Sequence, residues 1–122
     1  MCSGKTICEI NIKFISFNQY INMCRRNKYE AAKYKADIEN EIIKYIWHLP
    51  AFEKVRIKFI WVEENRRRDL DNICFAKKFI LDALAKCGKL KNDGQSVVKG
   101  FTDEFKTGNK ARVIIEVEEV TE

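Results

Sequence analysis

The sequence predicts a single α+β domain over residues 1–122, in the order β-α-β-α-β-β, with a mixed sheet and two helices. Three observations predict it. Apolar residues alternate at period two in segments 7–17 and 52–62, and recur at three- and four-residue steps in 29–47 and 73–87. Two further β-like runs, 96–105 and 110–120, close the chain. One proline and five glycines leave no long flexible linker, so 122 residues make one domain.

Each element has its own justification. In 7–17, Ile10, Ile12 and Phe14 share one face, with Glu9, Asn11 and Lys13 on the other, which reads as a strand. Asn18 to Asn22 reads as a polar connection. Helix 29–47 is favoured by Ala31, Ala32 and Ala36 and striped by Tyr34, Ile38, Ile42, Tyr45 and Ile46, with Pro50 closing it. Strand 52–62 sets Val55, Ile57 and Phe59 against Lys54, Arg56 and Lys58. The second helix carries Ile73, Ala76, Ile80, Ala83, Leu84 and Cys87 on its stripe, with Asp71 or Asn72 as N-cap and Gly88 as its C-terminal glycine. Leu90 to Gly94 is a turn, and Thr107-Gly108-Asn109 joins the last two strands.

Composition removes several functions. The five cysteines (Cys2, Cys8, Cys24, Cys74, Cys87) are odd in number and form no C-x-x-C pair, and His48 is the one histidine, which argues against a zinc site. Cys74 and Cys87 fall in apolar-patterned sequence and read as small hydrophobes. Unpaired thiols suit a reducing, cytoplasmic setting. No apolar run approaches the ~20 residues of a membrane span, and no phosphate-cradling G-x-x-x-x-G-K-[ST] loop is present, so neither a membrane nor a nucleotide cofactor is expected. Net charge is +5 even with an acidic carboxyl end (Glu116, Glu118, Glu119, Glu122). Cations therefore gather elsewhere, at Arg25, Arg26 and Lys28, at Arg66 to Arg68, and at Lys77, Lys78, Lys86, Lys89 and Lys91.

The segment Asn65-Arg66-Arg67-Arg68-Asp69-Leu70-Asp71-Asn72 stands out. Arginines attract a polyanion and carboxylates repel it, unless a divalent cation sits between carboxylate and phosphate. If the strand persists through Leu70, Asp69 and Asp71 point to one side, roughly 7 Å apart at the backbone. Mg²⁺ typically takes one or two protein carboxylates and keeps waters. The same residues fit a structural account, in which Asp71 caps the helix, Asp69 pairs with an arginine, and the arginines are a solvated strand end. Asp93 can be an ordinary turn residue or a third carboxylate returned to the site. Lys78 can be an i, i+4 surface partner of Asp82 or a cation beside the cleaved phosphate.

Arg66 to Asn72, the Leu81-Asp82-Ala83-Leu84 helix end, Gly88 and Asn92-Asp93 together resemble the RusA family of Holliday junction resolvases, a family common in phages and prophages. The likeness is specific over residues 66–98. It implies an endodeoxyribonuclease, active as a homodimer with Mg²⁺ (or Mn²⁺), resolving four-way DNA junctions by paired symmetric nicks. It also implies Asp69, Asp71 and Asp93 as catalytic, metal-holding aspartates and Lys78 as the catalytic lysine, with Lys77 as the fallback. Arg66, Arg67, Arg68, Asn72 and Lys77 then contact DNA. Two departures are visible: the helix after Asp71 is longer by about one turn, ~3 to 4 residues, and the family's Asp-Asp pair is Asn92-Asp93. Two competing readings remain, a branched-DNA-binding protein that does not cut and a nuclease for other branched DNA.

Overall fold

A computed structural model describes residues 5–121; Cys2 and Glu122 lie outside them. The strands are β1 (Lys5–Ile10), β2 (Val55–Glu63), β3 (Val98–Thr107) and β4 (Arg112–Glu119), and the helices α1 (Phe17–Arg26), α2 (Lys28–Ile46), α3 (Leu70–Cys74) and α4 (Lys77–Lys86). They form one mixed sheet in the order β1-β4-β2-β3. β4 runs antiparallel to both neighbours, whereas β2 and β3 are parallel and so need the α3–α4 crossover between them.

Alternation decides which sheet face is covered. Cys8 and Ile10, then Val55, Ile57, Phe59 and Trp61, then Val113, Ile115 and Val117 point to one side and are buried. Against them pack Ile42 and Ile46 of α2 and Phe79, Ile80, Ala83 and Leu84 of α4. Phe79 is the hub of the aromatic part of this core, with Phe14, Tyr20, Tyr34 and Phe75 all at centroid distances of 5.4 to 6.4 Å. The opposite face carries paired charges, including Arg112–Glu9 at 3.1 Å and Lys58–Glu104 at 3.2 Å. No helix among the described residues is long and apolar enough to cross a membrane. The described cysteines are free thiols, with Cys74 and Cys87 half-buried against the core.

The α+β class, the four strands and the mixed sheet agree with expectation, and the helices are finer-grained than it. The first strand stops at Ile10 rather than running to residue 17, and the supposed connection 18–22 lies inside α1. Ser16 is the reason. Its Oγ accepts from the Gln19 N–H at 3.1 Å while Gln19 Oε1 accepts from the Ser16 N–H at 2.9 Å, a reciprocal cap that starts a helix where alternation suggested a strand. Asn27 then ends α1 and caps α2, its Oδ1 accepting from the Tyr29 and Glu30 N–H groups. The second expected helix is broken at Phe75-Ala76 into α3 and α4. Gly88 ends α4 at φ 80°, and the Lys89 N–H donates to the Leu84 carbonyl at 2.8 Å.

Candidate nuclease site

The segment after β2 departs from the expected geometry. β2 ends at Glu63, so no strand carries Asp69 and Asp71 on one side. Instead Asp69 is the N-cap residue of α3, in extended conformation, and Asp71 lies in the first turn. Asp69 makes no side-chain capping bond. Both carboxylates are exposed, and among the described residues neither has a hydrogen-bond or ion-pair partner. The purely structural roles open to them, a capping bond and an arginine partner, are thus not taken up.

The three arginines divide. Arg66 and Arg67 face solvent, the backbone of Arg67 being held by Asn65 Oδ1 at 3.0 Å. Arg68 is half-buried, and its Nη1 donates to the Phe14 carbonyl at 2.9 Å, tying the segment to the chain before α1. Asn72 is also engaged within the fold, its Oδ1 accepting from the Asn18 N–H at 3.1 Å. That bond satisfies a backbone donor in the first turn of α1, which has no partner within the helix.

Lys78 and Asp93 come together across the α4–β3 connection. Lys78 Nζ lies 2.8 Å from Asp93 Oδ2 and 3.2 Å from Asp82 Oδ1. Asp93 is presented by a local turn in which Asn92 Oδ1 accepts from the Gly94 N–H at 2.8 Å. The hydrogen bond donated by Lys78 holds the Asp93 carboxyl below its ordinary 3.8, and donating to Asp93, then to Asp82, holds the ammonium above its ordinary 10.5. Both groups are therefore ionised at neutral pH, with Lys78 a cation rather than a base. Asp82 also meets Lys35 at 3.0 Å, which in turn bonds the buried Glu39 at 2.6 Å, so a charged chain runs from Asp93 into the α2–α4 interface.

Lys77, the neighbouring residue, points elsewhere. Its Nζ sits 2.5 Å from Asp103 Oδ2 on β3 and 4.2 Å from the centre of the Phe101 ring. Trp61 Nε1 donates to the other Asp103 oxygen at 2.8 Å. With Lys77 and Asp103 only 17% and 20% exposed, the Lys77 ammonium is occupied within the fold rather than offered to DNA. Cys74 lies beside this group. Its thiol is raised mainly by burial, which Lys77 opposes and Asp103 and Asp71 reinforce. Asp103 was not singled out in the sequence, yet a signal existed. In Phe101-Thr102-Asp103-Glu104-Phe105, alternation puts one aspartate on the same face as two phenylalanines, where a charge requires a partner.

Asp103→Asn should therefore destabilise the domain by about 1–3 kcal/mol, since it leaves a largely buried ammonium without its anion. Glu104→Gln, which breaks only the exposed pair with Lys58, should cost under ~1 kcal/mol. Paired urea melts check the contrast.

Comparison with known families adds the decisive observation. The model of the family described as endodeoxyribonuclease RusA matches residues 5–118, nearly the whole chain. The chain belongs to the RusA family. No curated protein matches it significantly. The RusA match extends beyond the arginine–aspartate segment to β1 and most of β4, so it covers the sheet as well as the site.

The carboxylates suit a hard cation in kind. Asp69 and Asp71 are two unpartnered oxygen donors, the number that Mg²⁺ commonly takes from a protein. Among the described residues no three acidic, histidine or cysteine side chains are gathered closely enough to hold an ion by themselves. Asp93, the third expected aspartate, is bonded to Lys78 instead.

Proposed function

We infer that this RusA-family endodeoxyribonuclease is a Mg²⁺-dependent enzyme that resolves four-way DNA junctions, working as a homodimer that makes paired symmetric nicks. One observation carries the reading: Asp69 and Asp71 stand exposed and unpartnered directly after an arginine run, in a chain that folds Lys78 against Asp93. Mg²⁺, when bound, would supply charge neutralisation at the phosphate and an activated water.

The residues of the chain have separable parts in this scheme. Asp69 and Asp71 would hold the cation. Arg66 and Arg67 would bind phosphates beside the cut one, which fixes the strand in place without reading sequence. Lys78 would present positive charge to the cleaved phosphate, and Asp93 and Asp82 keep it protonated and aimed. A junction has two strands to cut, related by two-fold symmetry. A dimer with one site per subunit matches that symmetry.

A competing reading draws on the absence of any three-carboxylate group among the described residues and on the neutralisation of Asp93 by Lys78. On it the chain holds branched DNA without cutting. A synthetic junction with each arm labelled in turn separates the two. The nuclease reading expects symmetric nicks with Mg²⁺ and none with EDTA, and more cutting of junctions than of flaps or nicked duplex. Tight metal-independent binding without any nick would overturn it.

A further inference from the structure

We propose that a cleft beside the two aspartates receives one unstacked nucleotide adjoining the cut phosphate, its base against Leu70 and Phe105 and its phosphate among Arg66, Arg68 and Lys106. The proposal rests on the nuclease reading above and adds to it the source of any sequence preference.

The cleft has a volume of about 570 Å³ and lies where the end of β2, the arginine segment, α3 and the end of β3 meet. That size falls within the ~300–1,000 Å³ typical of small-molecule sites. A duplex cannot enter it, whereas a single base and its phosphate can. Its chemistry is divided in the same way as a nucleotide. Arg66, Arg68 and Lys106 supply three cations, and Leu70 and Phe105 supply apolar surface. Glu63, the one carboxylate in the lining, disfavours a second phosphate.

Leu70 is the informative residue. It is 56% exposed and sits between Asp69 and Asp71 in the chain. Its side chain lines the cleft while its neighbours are the unpartnered carboxylates. The cleft and the two carboxylates therefore share the start of α3, on neighbouring residues of the chain. Phe105 offers a ring, and every base has a π-face to lay on one. Taking a base out of its stack is costly in a continuous duplex and least costly where pairing or stacking is already interrupted. The branch point of a junction is such a place.

The test places 2-aminopurine, in separate junctions, at each of the positions flanking the cut phosphate. Binding is measured without added metal, so that fluorescence is read and cutting is not. One position should brighten roughly threefold or more on binding, as unstacked bases do. Leu70→Ala should remove most of that rise and flatten the preference among cut steps. Lys106→Gln, on a different element, should weaken the rise and reduce the salt slope of binding by about one. A junction that is bound and cut with no position brightening overturns the inference and leaves the nuclease reading intact. So does a rise that both variants leave unchanged. A junction neither bound nor cut overturns both.

Discussion

Replacing Asp71 by Asn should reduce junction cleavage by more than ~100-fold while leaving the fold and DNA binding in place. The scale follows from metal sites generally, where losing a residue that merely orients a ligand already costs ~10–100-fold. The carboxylate has no hydrogen-bond or ion-pair partner among the described residues, so the substitution breaks no contact. Stability should change by no more than ~0.5 kcal/mol, the range for exposed positions away from special features. Binding should hold or tighten, because one negative charge facing the phosphates is gone. Gel-shift and cleavage assays on one preparation give both quantities. Undiminished cutting by the variant would remove Asp71 from the site.

Phe79→Ala should be the most damaging core substitution near the site, at about 3–5 kcal/mol. The side chain is 2% exposed, and four aromatic rings from α1, α2, the α3–α4 break and the segment before α1 converge on it. Truncation leaves a cavity with no single neighbour placed to fill it. Domains are stable by only ~5–15 kcal/mol, so much of that margin goes. Phe79 also follows Lys78 directly. Loosening it frees the start of α4, so the variant should lose Lys78 positioning before it unfolds. Thermal melts and cleavage below the melting point separate the two effects. Phe79→Leu, which retains most of the volume, should recover over half of the loss.

Sequence alone reveals what depends on local pattern. Strands β1, β2 and β4 are visible because their inward positions, such as Val55, Ile57 and Phe59, alternate without interruption, whereas Asp103 interrupts the inward face of β3. Helix α2 is visible because its stripe is long. The start of α1 was hidden, since Ile12 and Phe14 keep alternating although the strand has ended. The Ser16–Gln19 signature that marks the true boundary is only four residues long. Lys78–Asp93 could be suspected from sequence, but their contact depends on how the turn at Asn92 aims the chain. The split between Lys77 and Lys78 was not legible. Adjacent helical residues diverge by ~100°, and only the positions of Asp103 and Asp93 decide which lysine is occupied where.

The sheet order has a consequence for synthesis. β4 lies between β1 and β2, yet it is the last strand to be made, and Lys5 pairs with Glu118 near the opposite end of the chain. A nascent chain ending before Arg112 has β1 with nothing to pair with and β2 with one edge bare. The β1–β4 pairing closes a loop running from Ile10 to Val113, so the ordering of the sheet waits on β4. The arginine–aspartate segment leaves the ribosome long before the scaffold that fixes it. A chain built this way has its full sheet only once β4 is made, and fragments that stop before Arg112 carry Asp69 and Asp71 without that sheet.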